Sequence, residues 1–356
     1  MSRLRIFKYG SVYLNFLFIS SSLLIGGSAL LLIPFYLFIL IPVIELLFVG
    51  NEGNMGKAEE EMAKSDRKYD YILWSIVPMQ WAVMFLFLNR VADGSLAWWE
   101  VAGMILTFGV SCGVHGINAA HELGHRNTWY EQLMSKMLLL TSLYQHFFIE
   151  HNRGHHKNVS TDEDAASAKY GEALYTFWFR SIIFSWVSAW HLEGDRLKKD
   201  KQSFWSLHNE MLVFQIIEVS MLIGIAIIWG WHVTLYYMAA ALVGICLLET
   251  VNYIEHYGLR RKKIDGEYYD KTQLAHSWNS NHPIGRMMLI ELTRHSDHHY
   301  LPSRKYQLLR NYENSPQMPT GYPGMIILAM LPPLWFWVMD KKIAEYKAKP
   351  EGIALA

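Results

Sequence analysis

Residues 11–49 read SVYLNFLFISSSLLIGGSALLLIPFYLFILIPVIELLFV, with Glu45 as the single charged side chain. A membrane-spanning helix needs about 20 apolar residues, so this run is long enough for two of them. Pro34 and Pro42 provide breaks, because proline lacks the backbone hydrogen-bond donor that a helix interior requires. The run therefore predicts a pair of membrane helices, and we interpret Glu45 as an acid at the membrane interface.

The composition of the whole chain also favours a membrane protein. Hydrophobic residues make up 52% of the 356 residues and charged residues 18%, whereas a soluble domain carries about a quarter charged residues. Basic and acidic residues balance at 32 each, so the net charge gives no indication of a nucleic-acid partner. With only Cys112 and Cys246, the chain has neither a disulfide framework nor a four-cysteine metal site. Electrons for any redox reaction must come from another protein.

Further apolar runs raise the number of predicted spans to six, and the polar regions between and after them are 120–210 and 255–356. The predicted spans are 11–30, 31–49, 71–89, 96–119, 212–229 and 233–254. We expect a single membrane-embedded domain over residues 1–356, without a cleaved signal peptide, because the first apolar run is too long for one.

Basic residues indicate the orientation of these spans. They precede span one and follow spans two and six, and the opposite loops contain only Arg90. Since such residues concentrate on the cytoplasmic side, both termini and both polar regions are predicted to be cytoplasmic, in the inner membrane. The fold class we predict is all-α, with six transmembrane helices and a cytoplasmic helical cap.

Histidines cluster at the cytoplasmic ends of the predicted spans. His121 and His125 are four residues apart, so on a helix they share one face. Similar spacings recur in two further blocks and at the end of span six. Neutral imidazole binds iron, zinc or copper, and nine clustered rings exceed the four ligands of one zinc ion, so two metal ions are the simplest interpretation. The predicted metal ligands are His121, His125, His151, His155, His156, His256, His295, His298 and His299.

Polar residues beside these histidines are predicted to support them. An acid adjoins each block and can orient a histidine of another helix or offset the metal charge. The predicted supporting residues are Glu122, Glu150, Asn252, Glu255, His276, His282 and Asp297. The isolated histidines are interpreted as ordinary packing or polar groups; they are His115, His146, His191, His208 and His232.

Two other classes of protein fit part of this pattern. His121-Glu122-x-x-His125 is also the zinc metalloprotease motif, with Glu122 as general base, but this interpretation leaves the other clusters unexplained. A metal transporter or sensor would be expected to place its ligands within the spans rather than beside one end of them. The three compact clusters favour a two-metal redox enzyme.

Four blocks of sequence resemble the integral-membrane alkane 1-monooxygenase family of the histidine-rich membrane desaturase and hydroxylase superfamily. They are His-Glu-Leu-Gly-His at 121–125, Glu-His-Asn-Arg-Gly-His-His at 150–156, Asn-Tyr-Ile-Glu-His-Tyr-Gly at 252–258 and Arg-His-Ser-Asp-His-His at 294–299. The first and last also mark the wider superfamily, whereas the third separates alkane and xylene monooxygenases from the desaturases. The similarity extends from the Asn51 region to about Met339.

This resemblance implies a cytoplasmic di-iron site held by the nine histidines. It also implies that medium- or long-chain n-alkanes are hydroxylated at the terminal methyl with O2, and that rubredoxin, reduced by an NAD(P)H-dependent rubredoxin reductase, donates the electrons. A xylene-type monooxygenase and a fatty-acyl desaturase remain the nearest alternatives. Rubredoxins are acidic, so basic residues near the clusters are docking candidates, although they also fit the positive-inside pattern; they are Arg260, Arg261, Lys262, Lys263, Arg304 and Lys305.

Overall fold

A computed structural model describes residues 5–48, 50–264, 266 and 268–348 of the chain, and these residues are mostly helical. A short antiparallel hairpin pairs β1 (Lys263–Ile264) with β2 (Tyr268–Tyr269). Single 3-10 turns cover Ile6–Gly10, Leu274–His276 and Tyr306–Leu308. The helices are α1 Ser11–Ile25, α2 Gly27–Leu47, α3 Lys57–Ser65, α4 Lys68–Val91, α5 Trp98–Gly124, α6 Trp129–Leu140, α7 147–158, α8 Leu174–Lys199, α9 Glu210–Trp229, α10 Trp231–His256, α11 Pro283–Met288, α12 His295–Tyr300, α13 Tyr322–Ala329 and α14 Pro332–Lys347.

Five of these helices are long and apolar enough to cross a membrane, namely α2, α4, α5, α9 and α10. They correspond to five of the six predicted spans, and the chain is a multi-pass membrane protein. The remaining predicted span, 11–30, contains α1, which has 15 residues and ends at Ile25. A helix of this length is shorter than the hydrocarbon core of a bilayer unless the preceding 3-10 turn is added to it.

The break between the first two helices lies at Gly26, and the prediction that Pro34 and Pro42 break the run is wrong. Gly26 has a φ of +68°, which glycine adopts without the penalty that a Cβ would bring. α2 continues through both prolines because its winding changes near them, with a 3-10 turn at Gly27–Leu31 and a π segment at Tyr36–Leu40. The helical hairpin therefore turns several residues earlier than predicted.

Two spans extend beyond their predicted ends and carry site residues. α5 continues five residues past Ala119 to Gly124 and so includes His121, while α10 continues from Ile254 to His256. The two helices pack closely because glycines face the contact: a Cβ at Gly109 would lie 2.5 Å from Val243 Cβ, and one at Gly244 would lie 2.6 Å from Cys112 Cβ. This close approach places the two histidine-bearing helix ends side by side.

The C-terminal apolar segment at 325–339 packs on the domain rather than crossing the membrane. It is divided between α13 and α14, and Met325, Ala329, Trp335 and Met339 are buried against α10 and α8. Tyr253 of α10 lies 5.0 Å from Trp335, measured between ring centroids. This second apolar core supports the end of α10 that carries His256.

Glu45, which the sequence predicted to be an acid at the membrane interface, is buried within the protein. Its side chain is 1% exposed, and its Oε1 accepts a hydrogen bond of 2.7 Å from the backbone N–H of Gly285. A Cβ at Gly321 would overlap its carboxylate. Glu45 thus holds α2 against the starts of α11 and α13, beside the histidine-bearing region.

Candidate metal centre

Four segments bring the nine clustered histidines together. His121 and His125 come from the end of α5, and His256 comes from the end of α10. α7 provides His151, His155 and His156, and α12 provides His295, His298 and His299. All nine predicted ligands therefore lie at one end of the membrane helices, which we call the histidine end.

The histidines divide into two groups, and within each group one ligand atom per residue lies within 4.8 Å of the others. The five-histidine group consists of His121, His125, His151, His156 and His298, and the four-histidine group of His155, His256, His295 and His299. Both groups draw on α7, α12 and one membrane helix end. The structure thus assigns the nine side chains to two adjacent sites, a division that spacing along the sequence did not provide.

A π turn in α7 explains why neighbours in sequence separate between the groups. Residues 151–155 form a π turn, in which hydrogen bonds link residue i to residue i+5, so His151 and His156 lie on one side of the helix. Their Nε2 atoms are 2.9 Å apart. His155 points to the other group, where its Nε2 lies 3.2 Å from that of His299. In a regular α-helix, His151 and His155 would instead have shared a face.

The distances between ring nitrogens fit a metal ion in each group. Nε2 atoms are 3.2 Å apart in His125 and His151, 3.1 Å in His156 and His298, and 2.9 Å in His295 and His299. Two nitrogens that each lie about 2.1 Å from a shared ion, at a right angle, would be about 3 Å apart. The donor set therefore has the spacing of adjacent ligands of one ion.

Unpartnered nitrogens support the same conclusion. Both ring nitrogens of His121 are buried without a hydrogen-bond partner among the described residues, and so is Nε2 of His256. Buried polar atoms without a partner are rare, because each loses its hydration without compensation. The Nδ1 atom of His256 lies 3.2 Å from the backbone oxygen of His276, which turns its Nε2 toward the other three histidines. These residues can hold metal ions.

Burial keeps most of the clustered rings in the neutral form that binds metals. Desolvation, with the charges of His155 and Arg126, lowers the pKa of His125 to about 3. Desolvation and neighbouring histidines lower the pKa well below the ordinary value in five further rings outside the membrane helices, namely His151, His156, His295, His298 and His299. At neutral pH these rings are uncharged and able to coordinate a cation.

His155 differs because a buried carboxylate contacts it. Burial would lower the pKa of His155, but the charge of Asp164 and a hydrogen bond to it raise that pKa above the ordinary value. Nδ1 of His155 lies 2.9 Å from Asp164 Oδ2, and Ser167 donates to the same oxygen. Asp164 was not among the predicted residues. It is one of three acids in the run Thr161-Asp162-Glu163-Asp164, and the sequence does not indicate which of them turns inward.

Glu255 is the predicted supporting acid that reaches a clustered ring directly. Its Oε2 lies 3.1 Å from Nε2 of His295, the nitrogen that faces the four-histidine group. Its Oε1 accepts a hydrogen bond of 2.7 Å from the Tyr322 hydroxyl. Glu255 is therefore close enough to act either as a further ligand in the four-histidine group or as a carboxylate that orients His295.

The other three predicted acids have different neighbours. Glu122 forms a 2.7 Å ion pair with Arg126 and accepts from the backbone N–H of Tyr306. Asp297 accepts from Arg304 at 2.7 Å and from the backbone N–H of Arg310. Both acids tie surrounding loops to the helices that carry histidines. Burial, together with the charge of Asp164, raises the pKa of Glu150 to about 8.

The predicted supporting amide and histidines also have defined positions. Asn252 donates to Glu249 Oε2 at 3.3 Å and lines the cavity beside the histidines. His276 contributes its backbone oxygen, whereas its ring accepts from the backbone N–H of Gln273. His282 contacts Ser280 and belongs to neither histidine group.

Several of the predicted docking residues form ion pairs or hydrogen bonds within the chain. Arg304 pairs with Asp297, and Lys305 pairs with Asp70 at 2.9 Å. Arg261 donates to the backbone oxygens of Asp270 and Lys157. Arg260 is half-buried, whereas Lys262 and Lys263 are exposed at the start of the β-hairpin.

An apolar cavity opens against the histidines. His121, His151 and His295 line one end of it, with Asn252 and Glu255 beside them. Farther from the histidine end its walls are apolar and come from α2, α5, α10 and α13, including Leu37, Phe38, Val114, Leu247, Leu248 and Ile326. The arrangement can hold an apolar chain with one end at the ring nitrogens.

Comparison with known proteins identifies the class to which this fold and site belong. A family model described as fatty acid desaturase matches residues 96–329, a range that includes all nine clustered histidines. The chain therefore belongs to the fatty acid desaturase family.

Curated relatives define the branch within that family. Alkane 1-monooxygenase 1 of Pseudomonas aeruginosa is 38% identical over 317 residues, which cover 87% of this chain and 82% of the relative. Alkane 1-monooxygenase of Ectopseudomonas oleovorans is 36% identical over 306 residues, covering 86% and 76%. The xylene/toluene monooxygenase hydroxylase component of Pseudomonas putida is 28% identical over 242 residues, covering 68% and 64%. The chain belongs to the alkane 1-monooxygenase family of membrane oxidoreductases, which confirms the resemblance seen in its histidine blocks.

Proposed function

We propose that this protein hydroxylates the terminal methyl group of medium- and long-chain n-alkanes, using O2 and two iron ions. The observation that carries the proposal is the junction of the two histidine groups with an apolar cavity. An alkane offers no polar group for recognition, so a site that binds it must be apolar up to the reacting centre. Similarity to curated alkane 1-monooxygenases over most of the chain supports the same activity.

The residues proposed to hold the two ions are the nine clustered histidines, one ion for each group. When bound, the irons supply the O2 reduction chemistry that breaking an alkane C–H bond requires. Asp164 holds the ring of His155 in position, and the backbone oxygen of His276 does the same for His256. Glu255, fixed by Tyr322, is proposed as a further ligand or support of the four-histidine group.

Terminal selectivity is proposed to come from shape. A methyl C–H bond is harder to break than the methylene C–H bonds beside it, so the protein must present the chain end first. Leu37, Phe38 and Leu248 line the cavity away from the histidines and would keep the chain extended. The same apolar walls exclude water from the reacting centre.

We further propose a single domain with six membrane-crossing segments, α1 being the first. The 3-10 turn at Ile6–Gly10 and α1 together extend about 32 Å, close to the roughly 30 Å hydrocarbon core of a bilayer. Lys8, before α1, pairs with Glu291 near the histidine end. At the other end of α1, the backbone oxygen of Leu23 accepts from Arg90, which lies in the last turn of α4. An even number of crossings places both termini on the histidine side, which the basic residues assign to the cytoplasm of the inner membrane.

The electron donor is proposed to be rubredoxin, reduced by an NAD(P)H-dependent rubredoxin reductase. A donor must approach the histidine end from the cytoplasmic side, where Lys262 and Lys263 are exposed. Arg304 and Lys305 are paired with Asp297 and Asp70, and we expect them to contribute less to docking than the exposed Lys263.

Product analysis tests the proposed function. Membranes containing the protein would be supplied with iron, rubredoxin, its reductase, NADH, 18-O2 and a mixture of n-alkanes, xylene and a fatty-acyl substrate, with a control lacking reductase. We expect primary alkanols that carry one labelled oxygen. Labelled methylbenzyl alcohol as the main product would assign the protein to xylene oxidation, and unlabelled unsaturated acyl chains would assign it to desaturation. Either result would overturn the proposal.

A further inference from the structure

Two buried asparagines line the apolar cavity near its histidine end. Asn118 is 7% exposed and Asn252 is 5% exposed, and both belong to the lining of the cavity. An alkane has no group that can form a hydrogen bond with an amide, and burying an amide costs free energy unless it is paired. Binding of an alkane therefore does not account for either side chain.

Both asparagines lie about one helical turn deeper in the bundle than a clustered histidine of the same helix. Asn118 precedes His121 by three residues on α5, which corresponds to about 4.5 Å along the helix axis. Asn252 precedes His256 by four residues on α10, which corresponds to about 6 Å. Each asparagine thus shares a helix face with a histidine of the proposed metal centre.

The packing of α5 on α10 brings the two asparagines to a similar level. Both helices run toward the histidine end, and a Cβ at Gly109 of α5 would lie 2.5 Å from Val243 Cβ of α10. Asn118 and Asn252 have the same offset along the chain as this contacting pair, so they lie level to within about one turn. Two amides from different helices therefore face one short section of the cavity.

One of these amides has a free donor, and the other has a free acceptor. The Nδ2 atom of Asn118 has no hydrogen-bond partner among the described residues, which is rare for a buried polar atom. The Nδ2 atom of Asn252 donates to Glu249, whose carboxylate also accepts from the hydroxyls of Tyr144 and Ser181. Because Glu249 is held from several sides, it directs the nitrogen of Asn252 toward itself. The amide oxygen of Asn252 is then the end available to the cavity.

A hydroxyl group matches this pair of amides. It has one O–H donor and two acceptor lone pairs, so it can accept from Asn118 and donate to Asn252 at the same time. A carboxylate does not fit, because no lysine or arginine is among the described residues that line the cavity, and Glu255 already lies there. The molecule with such a hydroxyl beside the histidines is the primary alcohol that alkane hydroxylation forms.

We propose that Asn118 and Asn252 form a subsite for the hydroxyl group of the product 1-alkanol. This inference rests on the proposed alkane hydroxylation, which supplies the alcohol. After the reaction the hydroxyl moves about one helical turn from the ring nitrogens to the two amides, while the alkyl chain keeps its apolar contacts. The alcohol therefore binds more tightly than the alkane of the same chain length, and its release slows turnover.

The test measures binding instead of turnover. Iron-loaded, oxidised protein in lipid nanodiscs is titrated with labelled 1-dodecanol or labelled dodecane, without an electron donor, so that neither compound reacts. We expect wild-type protein to bind the alcohol more tightly than the alkane. In Asn118→Leu, the dissociation constant of the alcohol relative to that of the alkane should rise about tenfold, the effect of losing one hydrogen bond to a buried hydroxyl.

Asn15→Leu is the matched control. Asn15 is also a buried asparagine whose Nδ2 has no partner among the described residues, but it does not line this cavity. Its alcohol-to-alkane ratio should equal that of wild type. If Asn118→Leu does not fold, Asn118→Ala replaces it, and the same ratio decides the result.

The outcomes separate this inference from the proposed function. Wild-type protein that binds the alcohol no more tightly than the alkane would overturn the inference alone, and so would an Asn118→Leu variant that weakens both ligands equally. The product assay tests the proposed function independently, because it scores alkanols formed from alkanes. A protein that forms no alkanol there would lose both, even if its binding ratio depended on Asn118.

Discussion

Replacing Asp164 by asparagine should weaken metal binding in the four-histidine group. The Asp164 carboxylate lies 2.9 Å from His155 Nδ1, and both side chains are at most 3% exposed, so solvent cannot replace the lost charge. Asparagine keeps the volume but removes the charge, and its amide can present a donor to the Nδ1–H of His155. Removing such a partner typically lowers metal affinity about 10- to 100-fold, which corresponds to about 1.4 to 2.8 kcal/mol.

The assay is iron retention measured by elemental analysis while a chelator is titrated into purified protein in detergent. We expect about half of the bound iron to be released at a chelator concentration 10- to 100-fold lower than in wild type, because the five-histidine group keeps its ligands. Asp162→Asn is the matched control, since Asp162 belongs to the same acidic run but is exposed. Asp164→Asn protein with wild-type iron retention, alongside a His155→Ala variant that loses iron, would refute the role assigned to Asp164.

Three further changes have defined outcomes. Gly321→Ala should lower the free energy of unfolding by about 1–3 kcal/mol, because the new Cβ overlaps the buried Glu45 carboxylate. Thermal unfolding in detergent would measure this change. In the control Gly10→Ala, the new Cβ meets no atom within 4 Å and should have little effect. His256→Ala should abolish alkane turnover while membrane insertion, followed by fractionation, stays intact. Glu291→Gln should make the free energy of unfolding fall less steeply below about pH 4, which unfolding experiments at a series of pH values would measure.

The sign of the last prediction follows from the surroundings of Glu291. Burial alone would raise its pKa, but the adjoining Lys8 and Arg286 charges outweigh burial and hold the pKa below the usual range. A carboxylate of this kind stabilises the fold above its unfolded pKa, and the stabilisation is lost as pH falls through the folded pKa. An unchanged acid limb in Glu291→Gln would contradict this account.

Controls for the other two changes are available in the chain. Glu45→Ala combined with Gly321→Ala should recover part of the lost stability, because it removes the overlapping carboxylate. Failure of this rescue would mean that the overlap is not the cause. His191→Ala should keep full activity, since His191 is exposed and lies in neither histidine group. Full turnover by His256→Ala would remove that residue from the ligand set.

Local sequence patterns were sufficient to predict the membrane helices and to identify the histidines that cluster at the site. In a bilayer, a long apolar segment can pair its backbone hydrogen-bonding groups within itself only by forming a helix. The positions of α4, α5, α9 and α10 were therefore predictable to within a few residues. Histidine blocks at helical spacing identified all nine clustered rings. The break at Gly26 was missed because proline is the stronger helix breaker in general, while the actual turn depended on a positive φ that only the folded backbone reveals.

By itself, the sequence indicated a multi-pass membrane protein with clustered histidines of the alkane 1-monooxygenase type, because hydrophobic length and histidine spacing are properties of single segments. Only the tertiary structure decided which rings lie together, since the π turn in α7 sends His151 and His155 to different groups. It also brought Asp164 to His155. These contacts join residues from separate elements or depend on local winding, and neither is encoded in the spacing along the chain.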